Sequence, residues 1–401
     1  MNVGALSVVA AGVAAALHAG KLPPAMPLLR EQLGMSLVQV SLMVSLFQVF
    51  GMCLGIVGGM FADRFGARRV MTSGLVVLGL SSLAATASDG PAALLASRLF
   101  EGVGFVLTVL PAAVLLRRQV APAGLAQWLG MWGAYMPTGM AIALLAGPWL
   151  LSVSGWRGLW TAVGVATLLV AVLVRARTAP DDRDARGRAD MRALIVGTLR
   201  VPGPWVLALG FGCYAAQWMS VFSFLPSIYQ AGGIAPGLAG LLTALAVAVN
   251  LSGNIASGWL VSRRLPPPWL LAGAGATMAL SAWVAFGSGA PFGVQYGAVL
   301  ALSMVGGIIP GTSFVLAPRM APDPDAVSTT VGLMQQGSML GQFVAPPVLA
   351  MIASGPQGWS AVWQATALFA AGNVVGGVLM WRLMRRARPG GFRSSGSAGS
   401  C

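Results

Sequence analysis

Four ionisable side chains lie inside long apolar runs, where water cannot solvate them. His18 and Lys21 sit in the first run, and Arg98 and Glu101 in the fourth, within RLFEGVG. Each pair is spaced by three residues, which puts both members on one face of a helix. A charge within a membrane span is expensive, so such residues face a cavity or one another. Two chemistries fit these residue types. Arg98, with His18 and Lys21, can ligate a small anion. Glu101 can carry a proton, because burial favours its neutral form while the neighbouring guanidinium favours its charged form. Blander readings stay open: Arg98 and Glu101 as a self-neutralising pair, Lys21 reaching back to the outer interface, and His18 as a packed core histidine.

A second constellation is the stretch GGMFADRFGARRV at 58–70, a short connection between two apolar runs. Glycines here allow a tight turn and close backbone approach, and one carboxylate stands among three guanidiniums. The spacing G-x3-D-R-x-G-x-R-R, read at Gly59, Asp63, Arg64, Gly66, Arg68 and Arg69, resembles the signature between the second and third helices of the major facilitator superfamily. The resemblance implies a conformational switch. In that family this region packs against the start of the eleventh helix. In this chain that helix would follow Pro322-Asp323-Pro324-Asp325 and open on Ser328, Thr329 and Thr330, residues suited to capping.

The elements that must hold these residues follow from composition. The chain has 401 residues, 57% hydrophobic and 8% charged, against about 25% charged in soluble domains. It is an integral membrane protein by that measure. Apolar runs long enough to cross about 30 Å of hydrocarbon fall at 4–27, 36–61, 70–88, 92–116, 124–152, 157–175, 204–230, 237–261, 267–287, 292–317, 326–354 and 359–382. The expected fold is all-α, with twelve transmembrane helices. Of the 24 basic residues, all but Lys21, Arg30, Arg98 and Arg157 fall on one side, and that asymmetry puts both termini in the cytoplasm. The net charge of +14 is therefore a topology signal, not a nucleic-acid site. Three scattered cysteines and one histidine leave no disulfide framework and no metal cluster. No phosphate loop, catalytic triad or paired carboxylates support an enzyme, and no cofactor is implied.

The run Arg175–Gly203 mixes Asp181, Asp182, Asp184 and Asp190 with seven arginines. It reads as a solvated linker, which gives a first half 1–175, a linker 176–203, a second half 204–384 and a flexible tail 385–401. The halves repeat. At an offset of 199, Pro27 falls on Pro226, Gly59 on Gly258, Arg64 on Arg263 and His18 on Gln217. Ser262 stands where Asp63 does, so the charge-bearing switch belongs to the first half. Counting about 1.5 Å per residue puts His18 and Arg98 within a helical turn of each other in depth. Two parallel six-helix halves with a site between them at mid-membrane are what the superfamily resemblance implies.

On the second half, Gln217 and Trp218, beside Tyr214, reach matching depth, and Tyr135 approaches from the fifth run. Asn250, Asn254, Gln335, Gln336 and Gln342 are candidates for hydrogen bonds between helices. The fifth run, LGMWGAYMPTG, lacks the glycine pattern of many drug antiporters, with Met136 before Pro137 and Met140-Ala141 after it. Together with GWRGLW and GLMQQGSMLGQFVAPP it resembles the cyanate and nitroimidazole transporter-like branch. The expectation is a secondary transporter in the inner membrane, working by alternating access on a small solute, foremost an anion. It would be coupled to protons and need no obligate protein partner. Efflux of amphipathic compounds through an aromatic pocket (Trp132, Tyr135, Trp218, Phe222) is the alternative, and a non-transporting sensor of the same fold is the alternative from another class.

Overall fold

A computed structural model describes residues 2–56, 65–121, 128, 131–181, 191–323 and 326–386. These residues form helices and turns, with no strand among them. In lipid each backbone polar group must be bonded within its own segment, and continuous apolar runs meet that demand as helices.

The membrane-length helices are α1 (Val3–Leu33), α2 (Leu37–Leu54), α3 (Ala67–Ala85) and α4 (Pro91–Gln119). The helix Tyr135–Arg177 turns at Gly155 (φ 64°, ψ −173°), and its arms before and after that residue are α5 and α6. Beyond the 182–190 segment come α7 (Pro202–Ala231), α8 (Pro236–Ser262), α9 (Pro267–Phe286), α10 (Phe292–Met320), α11 (Val327–Ala353) and α12 (Val362–Arg386). The sequence separates the fifth and sixth spans by a short connection. The structure turns the chain within that connection, because the positive φ at Gly155 breaks the helix at a residue with no Cβ to oppose it.

Other boundaries move for local reasons. α1 continues past Pro27 to Leu33 and stops at Gly34, whose φ of 61° is a left-handed cap. It is broken at Lys21, between Val3–Gly20 and Leu22–Leu33, since Pro23 and Pro24 have no N–H to bond the carbonyls a turn earlier. Within the stretch 176–203, α6 reaches Arg177 and a short helix spans Met191–Arg200. Asp182, Asp184 and Asp190 lie outside the described residues, as does the tail from 387.

Lipid is as apolar as leucine, so these helices are held by close packing and hydrogen bonds rather than by burial from water. A methyl group on Gly104 of α4 would lie 2.7 Å from the carbonyl oxygen of Gly74 on α3, so the two backbones touch. Leu22, Met26 and Leu29 of α1 pack in one cluster with Met219 and Phe224 of α7 and Leu349 of α11. Met140 and Leu144 of α5 join Trp218, Phe222 and Val247. At the end bearing the N-terminus, Val8, Met71, Leu115 and Val174 form one cluster among α1, α3, α4 and α6, with Trp128 and Trp132 packed against it. Between α2 and α11 a seam carries two bonds: Ser45 Oγ donates to the Phe343 carbonyl at 2.6 Å, and Gln48 Nε2 to Gln342 Oε1 at 3.0 Å.

Candidate functional site

The break in α1 sets Lys21 facing inward, and the structure brings His18, Lys21, Arg98 and Glu101 together. All four are at most 1% exposed. Lys21 does not reach the interface: its Nζ donates to Glu101 Oε1 at 2.6 Å and to Ser82 Oγ at 2.7 Å, and contacts His18 Nδ1 at 3.3 Å. Ser82 spends its own proton on the Trp160 carbonyl at 2.8 Å, so its oxygen is free to accept. Thr167 likewise donates to the Val163 carbonyl at 2.8 Å, and its oxygen lies 2.9 Å from His18 Nε2. A hydroxyl has one proton, so Thr167 can only accept here. This places the proton of a neutral His18 on Nε2 and turns the Nδ1 lone pair toward Lys21.

Arg98 completes the cluster. Its Nη1 bonds Glu101 Oε2 and donates to the His18 carbonyl at 3.0 Å, while Nε donates to the Met43 carbonyl at 2.9 Å. The Trp160 ring lies 4.6 Å from Lys21 Nζ, and the Phe47 ring 4.5 Å from the Arg98 guanidinium, so both cations also rest on aromatic faces. A methyl on Gly102 would stand 2.6 Å from the Phe47 carbonyl oxygen, which is how α2 comes close enough to α4 to serve Arg98. Five helices, α1, α2, α3, α4 and α6, thus meet at one cluster built around a single carboxylate. Sequence reasoning missed Ser82, Thr167 and Trp160. Ser82 and Thr167 are lone hydroxyls in apolar runs, and Trp160 stands in the GWRGLW motif with nothing there to tie it to Lys21.

The other predicted residues form a neutral set. Tyr135 stacks on Trp132 with ring centres 4.7 Å apart, and Trp218 packs on Phe222 at 5.0 Å. Gln217 reaches the Met278 carbonyl only at 3.5 Å; its Oε1, Trp218 Nε1 and Ser220 Oγ are buried without a protein partner. Buried polar atoms are seldom left unbonded, so this stretch of α7 has capacity to spare. Asn250 of α8 is bonded, to the Ser303 carbonyl at 2.8 Å and to the Tyr214 hydroxyl at 3.1 Å.

With this geometry in view, residues 5–346 match the family model of the Major Facilitator Superfamily. The chain belongs to that superfamily. Its members are transporters rather than enzymes, and the membrane-length helices of this chain suit a multi-pass protein of that class. Among curated proteins, the chain is 33% identical over 177 residues to the puromycin resistance protein of Streptomyces alboniger, covering 44% of this chain and 34% of that one. It is 29% identical over 195 residues to the methylenomycin A resistance protein of Bacillus subtilis (strain 168), covering 48% and 39%. It is 26% identical over 222 residues to multidrug resistance protein MdtH of Yersinia pestis (strain Pestoides F), covering 55% of each. The chain spans about half or less of the length of these relatives. Among solved structures, a bacterial homologue of the human lysosomal transporter Spinster, in an inward-facing and occupied conformation, matches at 17% identity and a TM-score of 0.74, covering 96% of both chains. The xylose transporter XylE from E. coli, inward open, matches at 14% and 0.75, covering 94% and 95%. At such identities the likeness is one of fold. None of these relatives is a cyanate or nitroimidazole transporter, so the narrower resemblance finds no support among them.

The superfamily signature is described from Gly66 onward; Gly59, Asp63 and Arg64 lie outside the described residues. Gly66 has φ 91°, and the Asp181 side chain sits where a Cβ would project. The Asp181 carboxylate accepts the backbone N–H of Arg68 at 2.9 Å and of Arg69 at 3.0 Å, and Arg118 Nη1 lies 3.5 Å from it. A carboxylate from the end of α6 therefore caps the positive N-terminus of α3. Among the described residues, α11 starts after Ala326 with no side-chain cap, and Thr329 and Thr330 fall inside its first turn; Pro324, Asp325 and the side chain of Ser328 lie outside the described residues. Asp181→Ala is expected to lower stability by about 1 kcal/mol, the usual worth of a helix cap. Thermal denaturation in detergent measures it, and an unchanged midpoint would show that the cap does not hold α3.

Proposed function

We propose that the protein is a proton-coupled exporter of small amphipathic organic molecules, working by alternating access between halves joined by the 176–203 linker, with both termini in the cytoplasm. The observation that carries this reading is the occupancy of the charges. Lys21 and Arg98 are already engaged by Glu101. The surfaces left for a solute are the aromatic pairs Trp132–Tyr135 and Trp218–Phe222, with unbonded Gln217 Oε1 and Trp218 Nε1 beside the second pair. Met136 of α5 packs against the clusters holding both pairs. Relatives named for resistance to puromycin, methylenomycin A and multiple drugs support the same direction. Glu101 is the proton carrier in this reading, and protonation would release both cations.

That release favours a second reading. Two cations and a histidine around one carboxylate leave positive charge to spare, so an anion would take the place of Glu101 when the acid is neutral, with Arg98 as its principal ligand and His18 and Lys21 beside it. Proteoliposomes separate the two. An imposed proton gradient is expected to drive transport of an amphipathic cationic dye, and a protonophore to abolish it. Saturable uptake of a small radiolabelled anion with no dye movement would overturn export in favour of the anion reading.

A further inference from the structure

At the arginine-bearing end of α3 and α6 the surface opens into a cavity of about 740 Å3, lined by Arg68, Arg69, Thr72, Ser73, Arg175 and Asp181 among others. Three guanidiniums and two hydroxyls line this space with one carboxylate. Asp181 is directed to the α3 backbone N–H groups and to Arg118. Arg68 gives Nη2 to the Arg175 carbonyl, which ties the two helices together, while its Nε is buried without a protein partner. The cavity therefore has unspent donors and net positive charge.

What lies along the membrane from it is apolar. On α3, Arg69, Ser73, Val76 and Leu80 follow one another at helical spacing on one face, with Val76 and Leu80 36% and 54% exposed. On α6, Arg175, Val172, Leu169 and Val165 do the same, and Val172 and Leu169 are 67% and 65% exposed. The helices themselves touch where a methyl on Gly164 would lie 3.0 Å from the Gly79 carbonyl oxygen. From Arg69 to Leu80 the rise is about 16 Å at 1.5 Å per residue, about half of a ~30 Å hydrocarbon core. A polar head region followed by one leaflet's depth of apolar surface has the dimensions of a single phospholipid.

We propose that this cavity binds an anionic phospholipid. Arg68, Arg69 and Arg175 hold the phosphate with the Ser73 hydroxyl as a further donor, since Thr72 gives its own proton to the Arg68 carbonyl, and the acyl chains lie on Val76, Leu80, Leu169 and Val172. Basic pockets between helices at the cytoplasmic side suit such headgroups. Free phosphate shares the headgroup chemistry but leaves the apolar stripe unused. A lipid so placed braces the N-terminus of α3 against the end of α6.

The test uses the full chain in phosphatidylcholine nanodiscs with and without a minority of phosphatidylglycerol, with retained lipid read by native mass spectrometry and stability by thermal denaturation. The wild type is expected to keep phosphatidylglycerol in preference to phosphatidylcholine and to melt higher with it. Arg69→Gln and Arg175→Gln are each expected to weaken that retention about fivefold, the worth of one arginine near a charged headgroup. Inorganic phosphate is expected to leave the melting point unmoved. Unselective retention by the wild type would overturn the proposal, whether or not the variants fold. So would full retention in the Arg69→Gln/Arg175→Gln double variant. Stabilisation by inorganic phosphate equal to that by the lipid would make this a small-anion site instead.

Discussion

Glutamine in place of Glu101 is expected to destabilise the folded chain by about 3–5 kcal/mol, the cost of leaving buried charges without their counter-charge. Lys21 and Arg98 both converge on this carboxylate, and neither has water to turn to. An amide keeps one acceptor oxygen but loses the charge and brings an NH2 toward a cationic neighbour. Lys21→Met in the same chain removes one of the stranded cations at similar volume, so the double variant should be more stable than the sum of its parts predicts. Coupling of up to about 3 kcal/mol is usual for residues in one network. Thermal midpoints of the wild type, both singles and the double give the answer. Simple additivity would mean that the contact seen between Lys21 and Glu101 contributes nothing of its own.

The second large effect is expected at Gly55→Leu. A first side-chain carbon at Gly55 would lie 2.8 Å from Gln336 Cβ, and one at Gly332 would lie 3.1 Å from the Gly55 carbonyl oxygen. The end of α2 thus rests on the backbone of α11 across the two halves. A leucine there must push the helices apart, and overpacking of this kind costs about 1–3 kcal/mol. Because the penalty falls only on a state in which α2 and α11 touch at this level, it shifts the conformational balance, by about tenfold for each 1.4 kcal/mol. Transport should slow, and a single cysteine at Val109 should change its reactivity toward a membrane-impermeant thiol reagent. Gly210→Leu is the control, since nothing lies within 4 Å of a methyl group at that position. Equal behaviour of the two variants would mean that the α2–α11 contact is not one the cycle makes and breaks.

The legible part of this protein was whatever polarity or periodicity marks strongly. Apolar run lengths located the helices, because lipid leaves the backbone one local solution, and the i,i+3 pairs His18/Lys21 and Arg98/Glu101 stood out as charges with nowhere to go. Depth counting brought His18 and Arg98 to one level, where the structure joins them through the His18 carbonyl. Their remaining partners were not legible. Ser82 and Thr167 look like any helical hydroxyl that bonds back to its own helix, and only the fold shows that their oxygens also accept from Lys21 and His18. The turn between α5 and α6, by contrast, was legible, since Gly155 falls between the runs 124–152 and 157–175. In the sequence Asp181 reads as linker charge; its bonds to Arg68 and Arg69 depend on the start of α3 and the end of α6 lying side by side.

The charged cluster has an electrical consequence. With Lys21 and Arg98 cationic, Glu101 anionic and His18 neutral, one unbalanced positive charge is fixed to α1–α4 and α6, inside a single half. A unit charge crossing the whole transmembrane voltage exchanges about 2.3 kcal/mol per 100 mV. A half that rocks about a central site carries its cluster through only a small part of that drop, and a tenth of it is worth about 0.2 kcal/mol, below thermal energy. The voltage therefore does little to the rocking itself. In the proposed cycle it acts on the proton and the solute as they enter and leave, so current measured per molecule moved would report the charge of the cargo rather than the charge of the carrier.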